Sequence, residues 1–363
     1  MLNDKQFVGL DWLRFLAAFV VLLTHVRTST FLQYSELEAE SQNIVTLLFF
    51  AVTRLGHEAV IVFFVLSGYL VGGKAIQRIK NNTFAPKSYF IDRFSRIMTP
   101  LLPALALTSL VSVIVGESVP IEQVIGNLFS LQGFIVSPPS INGPLWSLSY
   151  ESWFYILAGS VGIVACGHNS KAFGMLLLTM TMVVFSELDV TYLFCWLLGA
   201  LAYKNKNPEF SALRFAISIC VISVGTIMSQ LTSETQSFSF INSGYYLPSN
   251  STCEIILASG IALLIRELCI FDKLSNTNKV GKLGILLASF SYTLYLVHYP
   301  LLVLMDHYLF DASGTIDSKS LSEFIIKTTA CLIASYALYW LFERNTNSVK
   351  KLLQLKQKPL IKA

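Results

Sequence analysis

Three ionisable residues interrupt the first long apolar segment of the chain: Asp11, Arg14 and His25. Arg14 and His25 are eleven positions apart. In a helix that turns about 100° per residue, they lie within about 20° of one another and about 16 Å apart along the axis. Asp11 falls close to the same face. The spacing predicts one helical stripe with a cation near one end and an imidazole, a common general base, near the other.

Simpler roles for these side chains stay open. Arg14 could extend to lipid headgroups, and His25 could hydrogen-bond locally. Ionisable groups in apolar segments are nevertheless costly, so each is a functional hypothesis. The first segment is therefore the first candidate for a site.

A carboxylate stands in a second apolar segment, where Glu151 lies in the window Leu145 to Tyr155, LWSLSYESWFY. A buried carboxylate without a partner would be neutral or strongly destabilising. We therefore expect a partner for Glu151, and His25 lies at a matching predicted depth. Tyr150 is a further candidate from the same window.

Another histidine and a serine also lie in apolar segments. His298 is found in Ser291 to Pro300, SYTLYLVHYP, with Tyr295 one turn earlier. His298 is either a hydrogen-bonded structural group or a second imidazole for chemistry. Ser67 precedes Gly68, and small residues of this kind favour close helix packing. The Ser67 hydroxyl is nonetheless kept as a candidate.

Cations precede a further apolar segment at Lys87, Arg93 and Arg96, upstream of Pro100. Arginines at a membrane surface can anchor to lipid phosphates. The same planar donors can bind a phosphorylated substrate in a bidentate manner. Both interpretations stay open for this cluster.

The composition indicates a membrane protein. Hydrophobic residues make up 54% of the 363 residues and charged residues 13%, and the mean hydropathy is +0.60. A soluble domain carries about 25% charged residues, so lipid is the expected solvent for the apolar excess. The six cysteines show no C-x-x-C spacing, and neither a metal site nor a disulfide framework is expected. The first apolar run lacks a cleavage site and is expected to be a retained helix.

Ten apolar runs predict an all-α integral membrane protein of about ten transmembrane helices. The runs are 10–27, 45–73, 97–116, 144–165, 172–186, 189–203, 210–231, 254–271, 284–306 and 321–342. The second is interrupted by charged and glycine residues, which predicts either one tilted helix or a short re-entrant piece followed by a helix. The runs predict one membrane domain, residues 1–344, followed by a basic cytoplasmic tail, residues 345–363.

Loop charges predict the orientation. Lys and Arg concentrate in alternate connections, at 74–96, 171, 204–206, 266–282 and 344–362. Asp and Glu occupy the others, at 36–40, 117–122, 187–189, 234 and 311–317. Because cytoplasmic loops are enriched in Lys and Arg, both termini are expected on the cytoplasmic side.

These pieces together resemble the acyltransferase-3 family of bacterial membrane O-acyltransferases. The matching stretches are Gly9 to Arg14 with His25, Val60 to Tyr69, Arg93 to Ile97 with Pro100, Trp146 to Tyr155, Ser291 to Pro300, and Glu343-Arg344. They occur in family order, and the resemblance covers nearly the whole chain.

The resemblance implies transfer of an acetyl group from acetyl-CoA to a hydroxyl of a cell-envelope polysaccharide or glycolipid, in a bacterial inner membrane. Acetyl-CoA is the implied substrate, with no permanently bound cofactor, no metal and no nucleic-acid partner. Some family members carry an extra esterase-like domain, and the short stretch after the last apolar run predicts none here.

On this reading the candidate residues divide into two groups. Arg93, Arg96 and Lys87 would hold the phosphates of the donor. Arg14 would orient the donor or stabilise charge on the thioester. His25 would be the general base or a transient acyl carrier, and Glu151 would support the imidazolium or relay a proton.

Two other classes of protein fit the same buried ions. A transporter or flippase of an envelope glycan precursor would use them as a proton relay without acyl chemistry. A non-catalytic component of an envelope assembly complex would use them for structure alone. Other acyl-transfer and nucleotide signatures are missing, since the sequence has no His followed five positions later by Asp, no G-x-S-x-G and no P-loop.

Overall fold

A computed structural model describes residues 7–167, 170–203, 210–232, 249–271, 279–309 and 311–355. Within these residues the secondary structure is helical, which confirms the all-α class. The α-helices are α1 (Val8–Thr30), α2 (Ile44–Thr53), α3 (Gly56–Ser67), α4 (Lys74–Lys80), α5 (Pro86–Val115), α6 (Ile121–Leu128), α7 (Trp146–Ala165), α8 (Lys171–Glu187), α9 (Val190–Ala202), α10 (Ala212–Thr232), α11 (Asn250–Phe271), α12 (Lys279–Ser289), α13 (Ser291–Tyr308), α14 (Ser318–Leu341) and α15 (Thr346–Leu355).

Each predicted apolar run coincides with one or more of these helices. Five elements of the described residues are long and apolar enough to cross a membrane: α1, the run from Ile44 to Lys80, α5, α10 and the run from Ser318 to Leu355. The pair α12 and α13, bent by 51°, would be a sixth, and α9 is a shorter apolar helix. Ten spans and cytoplasmic termini remain predictions.

Local sequence explains several helix ends. The Asn43 side chain accepts hydrogen bonds from the backbone N–H groups of Val45 and Thr46, both at 3.1 Å, and so caps α2. Asp317 caps α14 by accepting from Ser320 N at 2.8 Å. Helix α5 begins at Pro86, whose fixed φ suits a first helical position, and ends before Gly116 at φ +76°.

The second apolar run is broken rather than continuous. Arg54 and Leu55 separate α2 from α3, with ψ near 3° and 23°. Helix α3 then begins at Gly56, where a Cβ would lie 2.8 Å from Thr24 Oγ1. The glycine therefore lets the start of α3 approach α1, and the break places Arg54 beside that contact.

Close packing at Ser67-Gly68 is confirmed. A Cβ at Gly68 would lie 1.9 Å from the backbone oxygen of Trp196, and one at Gly199 would lie 2.0 Å from that of Val65. Two backbones can approach this closely only where side chains are absent. The interface joins α9 to α3 and to the π-helical stretch Gly68–Gly73 that follows it.

Helix α1 lies centrally and packs against α3, α12, α13 and α14. A buried ion pair reinforces two of these contacts. Lys327 of α14 is fully buried, and its Nζ lies 2.7 Å from Asp306 Oδ1 of α13 and 2.9 Å from Ser29 Oγ of α1. The Ser29 hydroxyl donates to Asp306 Oδ1 at 2.8 Å, so one polar cluster joins three helices.

The connection between α6 and α7 enters the bundle. Its 3₁₀ turn, Ser140–Leu145, buries Asn142, whose Nδ2 donates to Thr108 Oγ1 and to Leu296 O, both at 3.0 Å. Because this turn is buried, α7 begins inside the protein. Residues of its first two turns therefore lie deeper than a start at the membrane surface would place them.

Candidate functional site

Two cavities at opposite ends of α1, with a histidine pair next to the second of them, form the candidate site. The first, which we call the Arg96 cavity, has a volume of about 410 Å³ and lies among α1, α3, α5, α7, α13 and α15. Its lining includes Arg14, Ser67, Arg93, Arg96, Glu151 and Tyr295. Six predicted candidates from five helices are thus brought to one space.

The Arg96 cavity is rich in cations. Arg14, Lys74, Arg93, Arg96 and Lys350 line it, against the carboxylates Asp92 and Glu151. Asp92 contacts both Arg93 and Lys350, and the Arg14 guanidinium lies 3.8 Å from Asp11. Arg96 is exposed and has no hydrogen bond or ion pair among the described residues. The cavity therefore offers positive charge that is only partly neutralised.

Hydroxyl groups line the wall of the Arg96 cavity that faces the histidines. The Tyr295 hydroxyl donates to Pro144 O at 2.9 Å and lies 2.7 Å from Ser147 Oγ. Since that proton is used, Ser147 must be the donor in the second contact. Elsewhere in the same cavity, the Tyr155 hydroxyl donates to Glu151, and Arg93 Cζ lies 5.4 Å from the centroid of the Tyr155 ring.

His25 and His298 form a pair beyond this wall. His25 Nδ1 lies 2.9 Å from His298 Nε2, and His298 Nδ1 lies 3.0 Å from the backbone oxygen of Leu294. His298 is 1% exposed, and its ring centroid lies 6.0 Å from that of Tyr295. Neither histidine lines either of the two cavities.

The contacts fix the direction of hydrogen bonding. A carbonyl only accepts, so His298 Nδ1 carries a proton and, in the neutral ring, Nε2 accepts. His25 Nδ1 is then the donor, which leaves a lone pair on His25 Nε2 in its neutral ring. That atom has no hydrogen bond among the described residues. His25 is therefore set up to accept a proton at Nε2.

The second cavity, which we call the Arg54 cavity, has a volume of about 780 Å³ and lies at the other end of α1. It is bounded by the end of α1, the break between α2 and α3, and the ends of α9, α10 and α11. Thr24 and Arg27, on either side of His25, both line it. Arg14 and Thr24 are ten residues apart, so the nearest lining residues of the two cavities on α1 are about 15 Å from one another along the helix.

The expected pairing of His25 with Glu151 is wrong. Glu151 lines the Arg96 cavity at the Arg14 end of α1 and accepts from Tyr155, whereas His25 contacts His298. The buried turn before α7 explains the error, because it places Glu151 deeper in the bundle than a helix starting at the surface would. The role of Glu151 in catalysis stays a prediction.

The remaining candidates lie in different places. Asp11 contacts Arg14, and the Tyr150 hydroxyl accepts from Asp189 N at 3.0 Å, away from the Arg96 cavity. Lys87 is exposed in the first turn of α5 and does not line the Arg96 cavity. The structure thus brings Arg93 and Arg96 to the Arg96 cavity without Lys87.

Sequence reasoning missed two cations of the Arg96 cavity, Lys74 and Lys350, and most residues of the Arg54 cavity. Lys350 was assigned to the tail, yet α15 packs against α5 and directs it to Asp92. His57 Nε2 lies 2.6 Å from Glu254 Oε1 across 197 residues. Glu254 is a carboxylate within an apolar run, which is the signal that could have found it.

Comparison with known proteins gives one match. A family model described as an acyltransferase domain, Acyl_transf_3, matches residues 7–340. The comparisons with curated proteins and with solved structures give no match. The matched range includes both cavities except for Lys350 and Asn347, and it includes both histidines. The chain therefore belongs to the acyltransferase-3 family and is a multi-pass membrane acyltransferase.

Proposed function

We propose that this chain transfers an acetyl group from acetyl-CoA to a hydroxyl of a cell-envelope polysaccharide or glycolipid in a bacterial inner membrane. The observation that carries the proposal is the lone pair on His25 Nε2, which His298 holds next to the Arg54 cavity and beyond Tyr295 from the Arg96 cavity. A general base at this position can serve a donor from one cavity and an acceptor from the other.

The donor would occupy the Arg96 cavity. Arg93, Arg96 and Lys350 supply charge-assisted hydrogen bonds to its phosphates. The pantetheine arm is narrow and mostly apolar, and it would extend toward Phe63 and Tyr295, which line the same cavity. The acyl group then has to pass Tyr295 to reach His25, since His25 does not line the cavity.

The reaction balances with the residues present. His25 Nε2 takes the proton of the acceptor hydroxyl as its oxygen attacks the thioester carbonyl. The carbon–sulfur bond breaks, and the imidazolium returns the proton to the thiolate, which gives CoA and an acetyl ester. Arg14 lies about 16 Å from His25 along α1, so it would orient the donor within the Arg96 cavity instead of contacting the oxyanion. In the covalent variant the same Nε2 attacks the carbonyl and expels the CoA thiolate, and the acceptor oxygen then takes the acetyl group from Nε2 while the hydroxyl proton passes to the thiolate.

Family membership does not favour the transporter or flippase alternative, in which the same groups relay protons. The two proposals differ in one measurable respect, because a transporter leaves the thioester of acetyl-CoA intact.

The test uses the purified full chain in lipid nanodiscs with radiolabelled acetyl-CoA and envelope glycan extracted from cells that lack the gene, and it measures release of free thiol and transfer of label to the glycan. We expect His25→Gln to lower turnover by about 10²-fold or more, with acetyl-CoA binding retained. His307→Gln is the matched control, because His307 lies exposed near the end of α13. Absence of turnover in folded wild-type protein, or unchanged turnover in His25→Gln, would contradict the proposal.

A further inference from the structure

The Arg54 cavity contains two guanidinium groups that form no direct ion pair among the described residues, although the Glu58 carboxylate is near enough to attract Arg54. Arg27 and Arg54 both line it, and neither makes an ion pair or a side-chain hydrogen bond within the described residues. Arg27 Nε is buried and has no partner there. The two charges are close enough to repel each other. Partly buried cations of this kind are costly unless a ligand neutralises them.

An aromatic ring holds Arg27 in place beside the cavity. Its guanidinium lies over the Phe50 ring, with 4.9 Å between Cζ and the ring centroid. Arg27 Nε has no hydrogen-bond partner among the described residues. Arginine binds carboxylate and phosphate groups through such N–H donors.

Most carboxylates of the Arg54 cavity are already engaged elsewhere. Asp189 accepts from Thr191 N at 2.9 Å as the cap of α9, and Glu254 pairs with His57. Glu58 Oε1 accepts from Ser229 Oγ at 2.8 Å and from Gln230 Nε2 at 2.5 Å. None of these three groups forms an ion pair with Arg27 or Arg54 in the part of the chain that the structure describes.

Two buried acceptors complete the pattern. Glu58 is 6% exposed, and its Oε2 has no hydrogen-bond partner among the described residues. Gln230 Oε1 is also buried and has no hydrogen-bond partner among the described residues. The orientation of this amide is set because its Nε2 donates to Glu58. Buried acceptors without partners fit hydroxyl donors of a ligand. The cavity thus presents donors for an anion and acceptors for hydroxyl groups.

We infer that the Arg54 cavity binds an acidic sugar unit of the acceptor. Arg27 and Arg54 hold its anionic group, and Glu58 and Gln230 accept from its hydroxyls. The assignment of this sugar to the acceptor rests on the proposed function, whereas binding of an acidic sugar in the cavity does not. The anion is a sugar carboxylate or a sugar phosphate, and these two sources share the same recognition chemistry.

Binding of three soluble probes to the full chain in zwitterionic nanodiscs, followed by ligand-observed NMR, tests the inference. The probes are glucuronic acid, glucose 1-phosphate and glucose. We expect at least one anionic probe to bind about 10-fold or more tightly than glucose, because a charge-assisted contact is worth about 1.5–3 kcal/mol. Preference for glucuronic acid would identify a carboxylate, and preference for glucose 1-phosphate a phosphate.

Variants decide whether the arginines cause this preference. Arg27→Gln and Arg54→Gln should each bring binding of the anionic probe close to that of glucose. Arg27→Lys keeps the charge without the planar donors and should lose part of the preference. Lys319→Gln is the control, because Lys319 is 85% exposed and lies outside the cavity, near the start of α14. It should leave the preference intact.

Three outcomes would overturn the inference: equal or absent binding of all three probes, preference retained in both glutamine variants, or equal loss in Lys319→Gln. Acetyl-CoA turnover is measured separately in the same samples. Protein that binds acidic sugar without turning over acetyl-CoA would contradict the proposed function and leave the acidic-sugar site standing.

Discussion

At the scale of residues, the central feature is that one histidine orients another. The Leu294 carbonyl fixes the proton of His298 on Nδ1, and the remaining nitrogen then fixes the proton of His25 on Nδ1. Both rings are neutral, and the position of the proton on His298 sets the position of the proton on His25. In the proposed function His298 is a positioning residue, and the reactive lone pair belongs to His25.

Replacing His298 should separate orientation from binding. His298→Leu removes the acceptor for His25 Nδ1, so kcat should fall about 10- to 100-fold, as is common when an orienting partner is lost. His298→Gln still offers an amide oxygen and should retain part of the rate. The KM for acetyl-CoA should stay near wild type in both, because His298 does not line the Arg96 cavity. Wild-type kcat in His298→Leu would contradict the orienting role.

The pair Lys327 and Asp306 should respond unequally to substitution. Lys327 is 0% exposed whereas the Asp306 side chain is 34% exposed. Asp306→Asn leaves a fully buried ammonium without its counter-ion and should lower the free energy of unfolding by about 3 kcal/mol or more. Lys327→Met leaves a carboxylate that reaches solvent and should lower it by less. Thermal unfolding in detergent measures this order, and the reverse order would refute it.

Which residues line the Arg96 cavity could be predicted better than which residues contact one another. Arg14, Arg96 and Glu151 stand out because charge is rare in apolar runs, and the structure does bring them to one cavity. The partner of His25 could not be read, since it lies 273 positions away. Lys327 carries the same signal, a charge within the apolar run 321–342, but its partner Asp306 lies on another helix and could not be read from the sequence. Such pairings depend on helix rotation and depth, which hydropathy does not specify.

At the scale of elements, α15 is part of the bundle rather than a free extension. The region 345–363 was predicted as a basic tail from its charge alone. Its described part is amphipathic, packs against α5 and places Lys350 beside Asp92 at the Arg96 cavity. Val349 and Leu353 are the partly buried apolar residues of this helix, and their spacing of four positions is readable in the sequence.

Lys350→Gln should therefore weaken use of the donor. The substitution removes one cation and also leaves Asp92 less neutralised beside the expected phosphates. We expect the KM for acetyl-CoA to rise by about 10-fold, with a smaller effect on kcat. Lys351→Gln is the matched control, because Lys351 is exposed and does not line the cavity. Equal effects of the two substitutions would show that only general charge matters.

At the scale of the whole molecule, the fold places two polar cavities at opposite ends of a central helix. The apolar runs predicted the helices, and Ser67-Gly68 predicted a close contact that the structure contains. The bend of 51° between α12 and α13 and the inward turn before α7 were not predicted. Both depend on tertiary contacts such as Asn142 with Leu296 rather than on local periodicity.

The orientation is tested by cysteine accessibility. Glu122→Cys lies exposed on α6, in a connection expected outside, and Thr83→Cys lies exposed before α5, in a connection expected inside. A membrane-impermeant maleimide applied to intact cells with a permeable outer membrane should label Glu122→Cys above the wild-type background and leave Thr83→Cys at that background. Labelling of Thr83→Cys alone would reverse the orientation.

The central claim, that His25 carries out acetyl transfer to an envelope glycan, is tested most directly by mass spectrometry of envelope glycans. The glycans come from cells whose only copy of the chain is His25→Ala, at wild-type abundance, and from cells with wild type or with no copy. We expect an acetyl ester on the glycan of the wild-type cells that is absent from the His25→Ala cells and from the cells with no copy. Normal acetylation in the His25→Ala cells, or no acetyl ester that depends on the gene, would contradict the account.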